Sequence, residues 1–230
     1  MRETDGPAYE GLADEYEAFV ERNAAHYRVA ADVLRRLLGP GSERCLDLGC
    51  GGGWFLGVPL ELGWSPVGVD SARDQLRLAR ERHPHGVELV LADAGALPFR
   101  DESFQAAYSA FTHTDIDDFR AALAESRRVL RRGARFVYVG NHPCFVGATQ
   151  EHPATGLPRL HPGYRRAGRF AAAQVPGNTP GGWRERVGSF VHLPLAEFLS
   201  AFAGLTLETA EELDDGSEYP KTIALAFRKP

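Results

Sequence analysis

The chain has 230 residues, 43% hydrophobic and 25% charged, with 26 Lys+Arg against 31 Asp+Glu. That length suits a single domain over residues 1–230 with its own core, and a net charge of −5 gives no footprint for an extended phosphate backbone, which argues against a nucleic-acid partner. No apolar run approaches the ~20 residues that cross a bilayer and no basic-then-apolar leader is present, so the expectation is a cytoplasmic protein without a membrane partner.

Residues 8–38 space Leu12, Tyr16, Phe19, Val20, Tyr27, Leu34, Leu37 and Leu38 at mostly three- and four-residue intervals. This predicts an amphipathic helical cap, broken near Asn23 and stopped by Gly39-Pro40-Gly41. From Arg44 the pattern becomes short apolar runs, RCLDLG, PVGVD, VELVLAD, FQAAYSAF and RFVYVG, which suit strands buried on both faces of a parallel sheet. Helices are predicted between them at 71–82 and 115–131, with Ser71 and Asp115 as N-caps and Gly133 closing the second. Repeated alternation of strand and helix implies a doubly wound α/β fold with right-handed crossovers.

After Gly140 the alternation stops, and residues 141–190 hold eight Gly and six Pro together with Arg159, Arg165, Arg166, Arg169, Arg184 and Arg186. A stretch this long without periodicity reads as a lid or substrate insertion, or as a plain surface excursion, and its arginines as either a steering group for an acidic acceptor or a solvated loop. A helix over 194–203 and two strands over 205–213 and 222–227, joined by Asp214-Asp215-Gly216, predict an antiparallel hairpin at the sheet edge. Cys45, Cys50 and Cys144 are odd in number and lack paired ligand spacing, so they read as reduced thiols. Four His-Pro pairs, at 83–84, 142–143, 152–153 and 161–162, also lack ligand spacing and predict extended loops rather than a metal site.

The most informative segment is CLDLGCGGGW at 45–54. An apolar strand runs directly into glycines and then a helical segment, which lets a ligand approach the backbone with no Cβ in the way. A dinucleotide site would place its third glycine where Trp54 stands; here the glycines are Gly49, Gly51 and Gly53. Asp70 follows 23 residues after Asp47 at the end of the next run, where a carboxylate can accept from a ribose diol. Asp93 ends the run after that. Three successive strands thus carry an Asp at or near the edge where open α/β sheets bind ligands.

These residues resemble the class I S-adenosylmethionine-dependent methyltransferases, in particular the small-molecule branch that includes the quinone-biosynthesis enzymes. CLDLGCGGG is similar to the family's first motif, PVGVDSA to its ribose-binding segment, ADAGALPFRDESFQAAYSAF to its D-A-x-x-L-P-F-x-D-x-S-F-D signature, and LAESRRVLRRGARFVYV to the helix and strand that follow. Gln105 in place of Asp and Arg132-Gly133-Ala134 in place of Pro-Gly-Gly depart from the pattern. The resemblance implies a Rossmann-like, doubly wound seven-stranded sheet, mostly parallel with a C-terminal antiparallel hairpin, and S-adenosyl-L-methionine as cofactor. It implies that Asp47, Gly49, Gly51 and Gly53 shape the turn around methionine and ribose, that Asp70 binds the ribose hydroxyls, and that Ser71 lies beside the adenine. Asp93 and Ala94 would contact the adenine edge, Ala110 and Phe111 the sulfonium side, and Tyr16 the cofactor carboxylate. The implied reaction is methyl transfer to a small molecule, with oxygen as the expected acceptor atom. The alternatives are a non-methylating protein on the same fold and a dinucleotide-dependent oxidoreductase.

Methyl transfer from a sulfonium needs mainly positioning, with Tyr9, Tyr16, Phe111 and Trp183 as candidate aromatic walls for a cationic ligand. If a hydroxyl acceptor requires a base, His113 and His142, after the fourth and fifth predicted strands, are the candidate catalytic residues, with structural hydrogen bonding as the competing role.

Overall fold

A computed structural model describes residues 7–151, 157, 159–174, 183–214, 216 and 218–230. Two helices, α1 (Ala13–Arg22) and α2 (Ala24–Leu38), precede the sheet and meet at Asn23, where the predicted break falls. The chain continues through β1 (Arg44–Leu48), α3 (Gly57–Glu61), β2 (Ser65–Asp70), α4 (Arg73–Arg82), β3 (Glu88–Leu91), β4 (Phe104–Ala110), α5 (Phe119–Val129) and β5 (Leu130–Asn141). The irregular segment contains two small antiparallel pairs, β6 (Gln150–Glu151) with β7 (Arg159–Leu160), and β8 (Gly168–Ala171) with β9 (Ser189–His192), the latter pair separated by α6 (Trp183–Val187). Then come α7 (Leu195–Ser200), β10 (Thr206–Glu212) and β11 (Thr222–Arg228).

The main sheet has the order β10-β11-β5-β4-β1-β2-β3. Its five strands from β5 to β3 run parallel, and β11 pairs antiparallel with both β5 and β10, which is the expected mostly parallel Rossmann-like sheet with a C-terminal hairpin. Asp215 of the expected turn lies outside the described residues, as does the His152-Pro153 pair. Among the described residues no helix is long and apolar enough to cross a membrane.

Alternation along each strand builds a core on both faces. Leu46, Leu48, Phe104, Phe136 and Tyr138 face α5 and α7 and pack on Phe119, Leu123, Phe198 and Phe202. Their neighbours Cys45, Ala106, Tyr108, Val137 and Val139 face the other side and pack on Tyr27, Ala30, Leu34 and Leu38 of α2. Cys45, within this packing, and Cys50, in a smaller cluster with Leu56, Leu76 and Ala79, are buried free thiols.

Two predicted helix starts shift. Asp118, not Asp115, caps α5 by accepting from the Ala121 N–H at 2.8 Å, and Asp115 is drawn into an ion pair instead. The N-cap of α4 is Ala72 rather than Ser71, and its N–H donates to Asp70 Oδ1 at 2.9 Å. An apolar spacing locates a helix, but the side chain that takes the first N–H groups depends on tertiary partners.

Phe198 is fully buried and stacks against Phe119 at 6.0 Å between ring centroids. Phe198→Ala is expected to cost about 3–5 kcal/mol, the usual range for emptying a buried aromatic site, measured by urea denaturation; a loss under about 1 kcal/mol would show that α7 does not lock onto the sheet.

Candidate functional site

The order β4-β1-β2 places the switch in chain direction between β1 and β4, the point at which open α/β sheets leave a crevice beyond the strand ends. A cavity of about 920 Å³ opens there. Its walls come from the turns after β1, β2, β3 and β4, from Pro7, Ala8, Tyr9 and Tyr16 at the N-terminal side, and from Arg169 and Val187–Ser189 of the irregular segment.

The floor is the glycine turn. Gly49 has φ +77°, and a Cβ there would sit 2.7 Å from Thr112 Cγ2, while a Cβ at Gly53 (φ +81°) would press within 3.2 Å of the Ala79 backbone in α4. Both are therefore glycines for conformation and close packing. Gly51, at φ +50°, differs: the nearest atoms to its missing Cβ are Gln75 Oε1 at 3.6 Å and Tyr16 Cε1 at 3.9 Å, so its cavity side stays open.

Asp70 fixes the turn. Its Oδ2 accepts from the Gly51 N–H and its Oδ1 from the Ala72 N–H, each at 2.9 Å. Burial pushes the Asp70 carboxyl above its ordinary pKa, with the Ala72, Gly51 and Ser71 N–H groups pulling the other way. Each oxygen keeps acceptor capacity beyond its backbone bond, and the side chain lines the cavity. On the next strand Asp93 caps its own turn through the Gly95 N–H at 2.8 Å.

Phe111, directly after β4, has φ +57°. A left-handed conformation at a bulky residue costs on the order of 1–3 kcal/mol and persists only where surrounding structure enforces it. Here its N–H donates to Val139 O at 2.8 Å, and its ring packs on Tyr27 at 5.0 Å between centroids. The bend turns the chain across the cavity wall.

The cavity is closed by ion pairs. Arg184 of α6 donates to Asp115 Oδ1 at 2.6 Å and to Thr114 Oγ1 at 3.0 Å, and its guanidinium lies 4.0 Å over the Phe190 ring. Tyr9 donates to the same Asp115 oxygen at 2.8 Å. Burial works against the Arg184 cation, and Asp115, Tyr9 and Tyr16 more than offset it, so its pKa is raised. Arg169 pairs with Asp117 at 2.6 Å, and Arg186 pairs with Glu15 of α1. Of the two readings of the arginines, a steering group for an acidic acceptor or a solvated loop, these three follow neither: their charges are met by carboxylates of the chain itself.

Nine of the eleven residues expected at a cofactor line this cavity: Tyr16, Gly49, Gly51, Asp70, Ser71, Asp93, Ala94, Ala110 and Phe111. Gly53 does not, because it faces α4. Nor does Asp47, which points into the α2 face of the sheet, is 1% exposed, and accepts from the Tyr108 hydroxyl at 2.8 Å. The two candidate bases are also elsewhere. His113 is enclosed by Phe119, Tyr138 and Phe198, with Nδ1 bonded to the Tyr138 hydroxyl; burial, and then Arg184, hold its pKa down to about 3. His142 is buried and bonded to Glu212 at 3.0 Å on β10. Strand ends turn alternate side chains to opposite faces, and both imidazoles fall on structural sides. The Trp183 side chain, expected as a wall, lies outside the described residues.

The sequence reading missed Gln75, Thr112, Asp115 and Ile116, all of which line the cavity. Gln75 had a signal: it continues the buried stripe of Leu76 and Ala79 on α4, and a polar residue on a buried stripe needs a reason. Among the described residues no group of three or more His, Cys, Asp or Glu is arranged to hold a metal.

Residues 46–138 match the family model described as a methyltransferase domain, and the match spans β1 to β5 with all the turns that floor the cavity. In this part the chain resembles the class I S-adenosylmethionine-dependent methyltransferases. It is 32% identical over 147 residues to a demethylmenaquinone methyltransferase of Renibacterium salmoninarum, covering 57% of this chain and 61% of that protein. It is 36% identical over 126 residues to an O-methyltransferase of Penicillium expansum, covering 51% and 46%. The chain thus spans about half the length of these curated relatives. A crystal structure of an S-adenosylmethionine-dependent methyltransferase from Mesorhizobium loti shares the fold with a TM-score of 0.68 at 22% identity, over 86% of this chain and 95% of that one. The family match stops at residue 138, so the irregular segment beside the cavity lies outside it.

Asp47 makes a test of the packing beneath the site. Burial raises its pKa to about 8, with the Tyr108 hydrogen bond lowering and the Asp70 charge raising it further. The folded chain therefore holds a proton there that the unfolded chain loses near pH 4. The resulting stability is full below pH 4 and declines as pH rises to about 8, at a slope approaching about 1.4 kcal/mol per unit. His113, whose folded pKa is depressed, acts oppositely below about pH 6.5. His142 and His192, also depressed, act in the same sense as His113, and the raised Asp70 carboxyl in the same sense as Asp47, so the Asp47 contribution between pH 6.5 and 8 is the difference between wild type and a variant without that carboxyl. Across that range urea denaturation should show wild type losing stability more steeply than Asp47→Asn; equal slopes would contradict a protonated Asp47.

Proposed function

We propose that the chain transfers the methyl group of S-adenosyl-L-methionine to a small-molecule acceptor, with oxygen as the methylated atom. The observation that carries this reading is the pairing of Asp70 with Gly51. The carboxylate sits beside a glycine of the turn whose Cβ side is open to the cavity, with acceptor capacity left for the two hydroxyls of a ribose. The site also fits the cofactor on a second count. The buried Gln75 amide on the same wall has no hydrogen-bond partner among the described residues, which calls for a polar ligand there.

When bound, the sulfonium supplies both the methyl group and a thioether leaving group. The chain's contribution is geometry: Asp70 and Gly51 hold one end of the site, Asp93 and Ala94 border the adenine side, and Ala110 and Phe111 border the sulfonium side. Tyr9, Tyr16 and Phe111 provide aromatic surface next to a cationic centre. No imidazole lines the cavity among the described residues, so alignment and exclusion of water, rather than a histidine base, account for the rate in this reading. The described residues of the N-terminal helical cap (within 1–40) and of the irregular segment (within 141–190) that line the cavity border the acceptor side, beside the Arg184–Asp115 clamp. Oxygen as acceptor draws support from the relative in Penicillium expansum named as an O-methyltransferase. The absence of a membrane-crossing helix among the described residues agrees with a small-molecule role in the cytoplasm.

Calorimetry with S-adenosylhomocysteine and NAD, followed by labelled methyl transfer to phenols, carboxylic acids and amines, tests the reading. S-adenosylhomocysteine should bind and NAD should not. Asp70→Ala should weaken binding by about 10–100-fold, the usual worth of losing a charged hydrogen-bond acceptor, and label should appear on an oxygen. Binding of NAD alone would overturn the reading, and binding of S-adenosylhomocysteine without transfer to any acceptor would favour a non-methylating role.

A further inference from the structure

We infer that Gln75 is a specificity-determining residue that reads the hydroxyls of a ribonucleoside together with Asp70. The inference rests on the reading above that the cavity takes a ribonucleoside cofactor. Gln75 is 1% exposed, yet neither its Oε1 nor its Nε2 has a hydrogen-bond partner among the described residues. An amide buried in this way is destabilising unless a partner arrives, and a methionine or leucine would fill the same place on the apolar stripe of α4 without that penalty. The side chain lines the cavity, so a partner can arrive there.

Placement identifies the partner's chemistry. Gly51 joins the two groups: its N–H donates to Asp70 Oδ2, and Gln75 Oε1 lies 3.6 Å from where its Cβ would be. The Tyr16 ring closes the other side at 3.9 Å. A carboxylate can only accept, so Asp70 takes the protons of two hydroxyls and leaves their lone pairs unmet. An amide supplies what is missing, with Nε2 donating to a hydroxyl oxygen whose own proton goes to Asp70. Acceptor from one side and donor from the other define a site for a diol more narrowly than Asp70 alone, and a ligand lacking a hydroxyl would leave the buried amide unpaired, which is how such sites reject analogues.

The test uses the full chain and Gln75→Met, a substitution of similar length without polar atoms. In the free protein the melting temperature should rise by about 2–6 °C, because a buried unpaired amide is removed. Affinity for S-adenosylhomocysteine, measured by calorimetry, should fall about 5–30-fold. For the 2′-deoxy or the 3′-deoxy analogue, whichever removes the hydroxyl that Gln75 reads, wild type and variant should bind within twofold of each other. Unchanged affinity for S-adenosylhomocysteine in the variant, or an equal loss for it and both deoxy analogues, overturns the inference. A lower melting temperature with unchanged affinity does so too, because Gln75 is then structural. Folded wild type that binds no S-adenosylhomocysteine removes the ribonucleoside reading itself, and this inference with it.

Discussion

The cavity depends on one carboxylate placed between two strand ends. Asp70 leaves β2 with each oxygen bonded to a backbone N–H, one from the turn after β1 and one from the start of α4. A buried carboxylate is costly unless its lone pairs are met, and two backbone donors meet part of that requirement without using any side chain. This bridge sets the path of Gly51 and the direction of α4 together. Residues on either side, Gln75 from the helix and Tyr16 from α1, then converge on the same glycine. Removing the carboxylate would therefore loosen three elements as well as a binding contact.

Around this centre the chain is held by charges from segments distant in sequence. Glu17 of α1 accepts from the Trp54 indole at 3.0 Å and pairs with Arg82 of α4, whose guanidinium also covers the Trp54 ring at 4.8 Å. Asp74 of α4 accepts from the Ala13 N–H at 3.1 Å. The N-terminal cap is thus fastened to the glycine turn and to the helix after Asp70. On the opposite side Arg184, Arg169 and Arg186 fasten the irregular segment to Asp115, Asp117 and Glu15. Exposed pairs of this kind contribute little individually. The half-buried Arg184–Asp115 pair is different, because breaking it would strand Asp115 against Tyr9 and Thr114 beside the cavity.

The sheet was legible from Cys45 to Gly140 because its strands are apolar on both faces and its turns carry glycine and aspartate at strand ends, so periodicity and punctuation agreed. Most of the expected cofactor residues share one cavity for the same reason: consecutive strands of a parallel sheet deliver their ends to one edge. Asp47 and Gly53 show the limit of that logic. Being next to the site in sequence does not say which face a side chain takes, and strand alternation turns Asp47 toward Tyr108 and α2, while the turn presses Gly53 onto Ala79. His113 and His142 lie outside the cavity lining on the same ground, since a position after a strand gives proximity and not direction. The clamp of Arg184 on Asp115 was illegible because its partners lie 69 residues apart and no local pattern links them. Gln75 was readable in principle, as a polar residue on a buried helical stripe, but its meaning required the cavity beside it.

The most direct measurement of the central claim is a crystal structure of the chain grown with S-adenosylhomocysteine. The account predicts the nucleoside in the cavity beyond β1, β2 and β4, its ribose hydroxyls within hydrogen-bond distance of Asp70 and of the Gln75 amide, and its sulfur on the Phe111 side. Density for the nucleoside elsewhere on the protein, or a ribose that leaves Asp70 with only its two backbone partners, would contradict it.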